Sequence, residues 1–446
     1  MQSGTRNMTS GGIRRLMLSF ATPIFLSQLF QQLYNTADSL IVGRLLGKQA
    51  LAAVSSSSPL LFLFTSLMIG MSQGAGVVIS KYFGSKQLDV VSDAIHTAIA
   101  FAAVCGAVMT AAGITLSPIL LRWMRTAPDV IENSVLYFRN YFYGSMAVML
   151  YNIFTGIMNA LGDSRRPLYF LIFSSVLNVL LDILFIAGFH WGVGSAAIAT
   201  AISQAASALL CLRHFRKPGM FYRVEYRKIR FHPALIREII KMGLPTGIQN
   251  SVIAFANVLV QSNYNTFGSD AMAACGIYSK LEGFAFLPIT SFSMALTTFI
   301  SQNLGAKQYE RAKQGANFGI IVSVLLAELI GTVLFAFAPF FARIFIDTED
   351  VIRITVKQCH IETLFYFMLA FSHSVAGICR GAGKATVPMT IMLSVWCVFR
   401  ILYITVAMSI SHDIRLLFLA YPITWSISSV IFWIYFRKSN WVHGFE

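Results

Sequence analysis

The chain repeats itself at an offset of 221 residues, and this repeat constrains its possible folds more than any other feature. The matched residues are Gly47 with Gly268, Gly84 with Gly305, Lys86 with Lys307, Gly156 with Gly377, Gly162 with Gly383, and Pro167 with Pro388. With one extra residue in the offset, the matches extend to Pro23 with Pro245, Gln28 with Asn250, and Asn35 with Asn257. Self-similarity over this length predicts two halves that share one architecture.

The composition predicts that both halves lie in a membrane. Hydrophobic residues make up 56% of the chain and charged residues only 12%, and the mean hydropathy is +0.66. A helix that crosses a bilayer needs about 20 mainly apolar residues. Twelve segments meet this requirement, six in each half: 15–40, 53–79, 93–117, 133–158, 167–189, 193–213, 243–265, 272–300, 315–342, 357–379, 388–410 and 415–437. Small residues such as Gly70 and Gly74 would let these helices approach closely.

An even number of spans in each half means that both halves enter the membrane from the same side, as parallel repeats. We therefore predict an all-α integral membrane protein with a first half at 1–214, a basic linker at 215–241 and a second half at 242–446. Repeats of this kind are typical of secondary transporters, in which two similar bundles rock against each other around a site between them.

The distribution of lysine and arginine predicts the orientation of the chain. The N-terminus and the loops after even-numbered spans carry 23 of these residues, whereas the opposite side carries 8. Excess positive charge stays on the cytoplasmic side, so both termini are expected there. The same bias explains the net charge of +15 without nucleic-acid binding. The linker is expected to contact anionic lipid headgroups.

Polar side chains inside spans are candidates for function, because a polar group in lipid is costly unless it faces the bundle interior or water. On the first span, and on the seventh, which is its repeat counterpart, they recur along one face of the helix. The residues are Gln28, Gln31, Gln32, Asn35 and Asp38 on the first span, and Asn250, Asn257 and Gln261 on the seventh. Both faces are predicted to line a central substrate cavity, with Tyr34 and Tyr278 in an adaptable aromatic wall. The alternative is that the polar residues only hydrogen-bond neighbouring helices.

A second polar group is predicted on the fifth and sixth spans. Asn178 and Asp182 are one helical turn apart, and at about 1.5 Å of rise per residue Asp182, Thr200 and Asp38 all fall in the outer half of the membrane. Their oxygens could bind Na⁺, or the two carboxylates could share a proton; alternatively, an Asp caps a broken helix. The repeat counterparts of Asn178, Asp182 and Thr200 are Phe399, Tyr403 and Tyr421. The predicted ion site therefore belongs to the first half alone.

The second half carries charged residues of its own within predicted spans. Lys280 and Glu282 are candidates for lining the substrate cavity, where Glu282 would attract a cationic substrate or else form an ion pair with another helix. Glu362 lies near enough to a helix end for its carboxylate to snorkel to the interface. Arg400 is mid-span, is also assigned to the cavity, and needs a partner that the sequence does not identify.

The cysteines and histidines do not predict an enzyme. The six cysteines show no C-x-x-C pair and mostly fall in apolar runs, and the eight histidines show no metal-ligand spacing. No cofactor is expected other than a coupling ion, H⁺ or Na⁺.

These residues resemble the multidrug and toxic compound extrusion (MATE) transporters over nearly the whole chain. The resemblance rests on the twelve spans in two lobes, on Pro23 in the first span, on Gly84 and Gly305 after the second and eighth spans, and on the segment 177–182. It is strongest to the prokaryotic DinF-like branch, whose first-lobe site uses an Asp of the first helix, an Asn and an Asp of the fifth, and a Thr of the sixth. The matching residues here are Asp38, Asn178, Asp182 and Thr200.

The resemblance implies an antiporter that exports organic, cationic, drug-like compounds in exchange for H⁺ or Na⁺ by alternating access, with the first helix bending at Pro23. It also implies a multi-pass protein of the prokaryotic inner membrane. Because each chain is expected to contain a complete transport pathway, we predict that it works as a monomer. The alternative within the same superfamily is a flippase for lipid-linked oligosaccharides. We would expect such a flippase to have about fourteen spans and a strongly cationic cavity.

Overall fold

The computed structural model describes residues 6–123 and 131–445, apart from the side chains of several residues between 39 and 59. The regular structure of these described residues is helical, without strands. The α-helices are α1 (Ile13–Leu46), α2 (Lys48–Gly84), α3 (Leu88–Trp123), α4 (Ile131–Tyr143), α5 (Ser145–Ala160), α6 (Arg165–Asp182), α7 (Gly194–Phe215), α8 (Pro233–Tyr264), α9 (Ser269–Gly305), α10 (Tyr309–Ala336), α11 (Ala338–Arg343), α12 (Glu349–Glu362), α13 (Tyr366–Gly381), α14 (Thr386–Met392), α15 (Arg400–Ile410) and α16 (Ile414–Lys438).

These helices confirm the predicted all-α membrane architecture. Nine helical segments of the described chain are long and apolar enough to cross a membrane by length and composition. The predicted fourth span is divided at Gly144, where a Cβ atom would lie 2.5 Å from the Cβ of Ala201, so the chain approaches α7 too closely for a side chain. Two other spans contain π-helical segments, Ile183–Gly188 after α6 and Leu393–Phe399 before α15. Such segments are rare and often lie at functional sites.

The repeat extends to details of backbone conformation and packing. The turns after α2 and α9 both place a lysine in the left-handed region, with φ of 61° at Lys86 and 57° at Lys307. The same helix-to-helix hydrogen bond also occurs within each half: a serine hydroxyl donates to a backbone carbonyl. The bonds are Ser72 to Asn152 and Ser293 to His373. Equivalent sequence positions therefore make equivalent contacts.

The described chain divides into two compact units. Unit 1 consists of residues 6–8 and Thr22–Gly247, and unit 2 consists of Thr9–Ala21 and the residues from Ile248 onward. The helix α1 therefore passes from unit 2 to unit 1 next to Pro23, and α8 passes from unit 1 to unit 2 soon after Pro245. Each proline removes one backbone hydrogen bond within its helix.

The core of unit 1 is built from α2, α3, α5 and α7, with Ile79, Ile95, Ile153 and Cys211 fully buried. The N-terminal part of α8 packs against α2 through two glycine pairs. A Cβ atom on Gly70 would lie 2.2 Å from the backbone nitrogen of Gly247, and one on Gly74 would lie 2.3 Å from that of Gly243. Backbones this close are possible only where side chains are absent.

The core of unit 2 uses the repeat-equivalent helices, of which the last span, α16, is the counterpart of α7. Buried residues of α9, α10, α13 and α16 pack together, among them Ile289, Ala327, Leu369 and Phe432. One polar pair inside this core joins two of its spans: Trp396 Nε1 donates to Ser428 Oγ at 3.0 Å.

Candidate functional site

Two carboxyl groups meet inside unit 1. Asp38 lies on α1, and Asp182 is the last residue of α6, directly before the π-helical segment. Asp182 is 0% exposed, and the two carboxyl groups lie within hydrogen-bonding reach of each other. One oxygen of each, Oδ1, is buried without a hydrogen-bond partner among the described residues. A hydrogen bond between two carboxyl groups requires a proton on one of them.

Asn178 and Thr200 complete the group. With the Asn178 amide nitrogen facing Asp182, the nitrogen donates to Oδ2 of Asp182 at 2.8 Å. Its oxygen then accepts from the hydroxyl of Thr200 at 3.2 Å and from the Thr200 backbone N–H at 3.0 Å. The structure thus brings together Asp38, Asn178, Asp182 and Thr200, the four residues assigned to the ion site. We call this group the carboxyl site.

Two tyrosines border the carboxyl site. The Tyr34 hydroxyl lies 3.2 Å from Thr200 Oγ1, so this residue, assigned to the substrate cavity, is hydrogen-bonded to the carboxyl site. Tyr137 of α4 interacts electrostatically with Asp38 and Asp182 and is 6% exposed. The sequence does not single out Tyr137, because its position on an amphipathic helix is equally typical of a core aromatic residue.

Replacing Tyr34 by Phe should weaken transport without abolishing it. The substitution removes one neutral hydrogen bond, worth about 1 kcal/mol, and leaves both carboxyl groups in place. We expect a decrease of about fivefold in the initial rate of gradient-driven transport in liposomes, in keeping with that energy. The control is Tyr169→Phe, since Tyr169 is 61% exposed. An unchanged rate in the Tyr34 variant would show that the Tyr34–Thr200 hydrogen bond has no role.

Unit 2 holds the buried arginine whose partners the sequence did not identify. Arg400 begins α15 and is 2% exposed. Its Nε and one terminal nitrogen donate to Thr424 Oγ1 at 3.3 and 2.8 Å, and its other terminal nitrogen donates to Asn257 Oδ1 at 3.5 Å. Its guanidinium carbon lies 4.3 Å from the ring centre of Tyr421 and 5.6 Å from that of Trp396. The partners of Arg400 are thus hydroxyl, amide and aromatic groups.

Two glutamates lie within electrostatic range of Arg400. Glu282 is half-buried, whereas Glu362 is 0% exposed and accepts a hydrogen bond of 2.8 Å from Gln358. The expectation that Glu362 snorkels to the membrane interface is therefore wrong, because a polar network of α12 and its neighbours holds the side chain inside the unit. In the same core, the hydroxyls of Tyr278 and Tyr366 lie 3.0 Å apart.

The remaining residues assigned to the substrate cavity are more scattered. Gln28 and Asn250 are half-buried, and Gln31 donates to Asn35 at 3.3 Å along α1. Gln261 and Lys280, like Asn250, lie in unit 2. Gln261 accepts a hydrogen bond of 3.4 Å from Cys275, and Lys280 is exposed with its ammonium 5.4 Å from the ring centre of Phe345. Their roles in substrate binding stay predictions.

Comparison with known families gives the same division into two copies. The MatE family model matches the chain twice, at residues 23–184 and 245–406. Each match begins at one of the repeated prolines, and together they cover more than half of the chain. The chain belongs to the MatE family. This MatE protein is therefore a multi-pass membrane transporter and not an enzyme.

Relatives and solved structures align with the MatE chain over most of its length. It is 27% identical over 445 residues to the probable multidrug resistance protein YoeA of Bacillus subtilis, covering 97% of this chain and 95% of that protein. It is 28% identical to the probable multidrug resistance protein NorM of Thermotoga maritima, covering 86% and 83%. An outward-facing multidrug resistance MATE transporter of the MOP superfamily superposes with a TM-score of 0.91 at 19% identity, covering 98% of both chains. That structure supports the fold.

Proposed function

We propose that this MatE transporter exports small organic molecules in exchange for H⁺ or Na⁺, and that the ion binds at the carboxyl site. The names of the relatives, which are multidrug resistance proteins, support the export of drug-like compounds. The observation that carries the ion-coupling proposal is the contact between the buried carboxyl groups of Asp38 and Asp182. Buried carboxyl pairs are rare in membrane spans and are typical of ion and proton pathways.

The chemistry of the pair suits a monovalent cation. Two carboxylates within hydrogen-bonding reach of each other repel unless a proton or a metal ion lies between them. With a proton shared between the two groups, the contact is favourable, as the arrangement in unit 1 suggests. Na⁺ would require oxygen ligands, and the two Oδ1 atoms without described partners are such oxygens.

Ion occupancy would drive transport by changing the relative free energies of the outward-open and inward-open states. A ligand shifts such an equilibrium only by its difference in affinity for the two states, and coupling energies of about 1–3 kcal/mol are typical. The helix α1 is suited to respond, because it carries both Asp38 and the helix-interior Pro23. We propose that α1 bends at Pro23 when the carboxyl site gains or loses its ion.

We also place both termini in the cytoplasm and treat the single chain as the functional unit.

The test is a transport assay with purified protein in liposomes. Ethidium movement would be followed by fluorescence under an imposed Na⁺ gradient and, separately, under an imposed pH gradient. Transport driven by either gradient would support antiport and identify the ion. If folded protein responds to neither gradient with ethidium or with the rhodamine probes described below, the proposal is wrong.

A further inference from the structure

The guanidinium of Arg400 is a buried cation, and no carboxylate of the described residues lies within ion-pair distance of it. It is 2% exposed, and none of the ion pairs within 4.0 Å among the described residues includes it. A charge removed from water is strongly destabilising unless it is paired or otherwise stabilised. A transporter that keeps such a group in a membrane span is expected to use it.

The hydrogen bonds of Arg400 leave donor capacity at the end of the side chain. A guanidinium has five N–H groups, and three of them point to Thr424 and Asn257. The other two, one on each terminal nitrogen, have no acceptor among the described residues. Paired N–H groups at the end of an arginine fit the two oxygens of a carboxylate or phosphate.

Aromatic rings lie beside these donors. Tyr421 and Trp396 contact the guanidinium through their faces, at 4.3 and 5.6 Å from the ring centres. Cation–π contacts of this kind stabilise a desolvated charge through the electrostatics of the ring face. The rings therefore stabilise the guanidinium without occupying its two remaining N–H groups.

The position of Arg400 in the repeat supports a binding role. Tyr421, which stacks on the guanidinium, is the repeat counterpart of Thr200 in the carboxyl site. The counterpart of Arg400 itself is Val179, next to Asn178. Corresponding parts of the repeat thus differ in charge: unit 1 has an acidic pair there, whereas unit 2 has a guanidinium, with Glu282 and Glu362 within electrostatic range.

We propose that Arg400 binds the anionic group of the exported molecule, and that the preferred substrates are aromatic carboxylates, including zwitterions. Asn257, on the polar face assigned to the substrate cavity, contacts the same guanidinium at 3.5 Å. Glu282, half-buried and within electrostatic range, would face the cationic part of a zwitterion. This inference rests on the proposed export function and revises the expectation that substrates are simply cationic.

The experiment compares a rhodamine that has a free carboxylate with its methyl ester, in which a methyl group replaces the negative charge. Transport of both probes would be measured in liposomes containing the wild-type protein, Arg400→Gln, Arg400→Lys and the control Arg353→Gln. Arg353 is an exposed arginine that pairs with Asp350. We expect the wild type and the control to prefer the carboxylate, Arg400→Gln to lose that preference by about tenfold or more, and Arg400→Lys to retain part of it.

The outcomes separate this inference from the proposed function. Transport of both rhodamines at equal rates by the wild type would overturn the inference while leaving gradient-driven export intact. An equal loss of both probes in Arg400→Gln would also overturn it, since a structural role predicts no dependence on the carboxylate. If the Gln variant does not fold, binding of the two probes to wild-type protein in detergent decides the question. The inference requires the wild-type protein to bind the rhodamine with the free carboxylate more tightly than its methyl ester.

Discussion

Replacing Asp38 by Asn is expected to reduce gradient-driven transport to the level of liposomes without protein. Asparagine has nearly the same shape as aspartate but cannot accept a proton, and it provides only one neutral oxygen to Na⁺. The contact with Asp182 would then no longer depend on the coupling ion, so the ion could not bias the two states. Asp182→Asn should have the same effect. Ethidium or rhodamine transport under the imposed gradients measures both variants.

The matched control is Asp270→Asn, which changes an exposed aspartate in the first turn of α9. Its transport rate should equal that of the wild type. Thermal unfolding in detergent should show that all three variants remain folded, because a neutral amide is less costly than a carboxylate at a buried position. Full gradient-driven transport by the folded Asp38 variant would exclude the carboxyl site as the place of ion coupling.

Replacing Gly70 by Ala should strongly destabilise the protein. The added Cβ would lie 2.2 Å from the nitrogen and 2.4 Å from the Cα of Gly247, and backbone atoms cannot move aside without separating α2 from α8. Overpacking typically costs about 1–3 kcal/mol, and we expect the upper end of that range or more. The free energy of unfolding in a fixed detergent or lipid mixture measures the effect.

Gly276→Ala provides a matched comparison for this substitution. Gly276 also lies inside a helix, α9, but a Cβ atom there would have no neighbour within 4 Å. Alanine is favoured over glycine inside helices by about 1 kcal/mol, so this variant should be as stable as the wild type or slightly more stable. Equal stability of the Gly70 and Gly276 variants would contradict the close packing of α2 and α8.

The sequence was most informative where the constraint is local or repeated. Membrane spans are read from runs of apolar residues, because lipid demands about 20 of them in succession. The repeat at 221 residues predicted two equivalent halves, and the paired turns at Lys86 and Lys307 confirm that correspondence. One-turn spacing also placed Asn178 and Asp182 on one face, as the structure has them.

The spacing of residues along the sequence could not predict which distant helices contact each other. Spacing identified Gly70 and Gly74 as a place for close packing, but only the structure pairs them with Gly243 and Gly247. Glu362 looked like an interfacial residue because it is near a helix end, yet its network with Gln358 buries it.

The family, the membrane-spanning helices and the candidate ion ligands could thus be inferred from residue types and their spacing along single helices. Only the tertiary structure identified the partners of Arg400 and the proximity of Tyr137 to the carboxyl site. It also showed that α1 and α8 each pass from one unit to the other. The physical reason is that a helical pattern defines a face but not its direction. How each helix is rotated and displaced against its neighbours depends on the packing of the whole unit, and that rotation decides which polar groups meet.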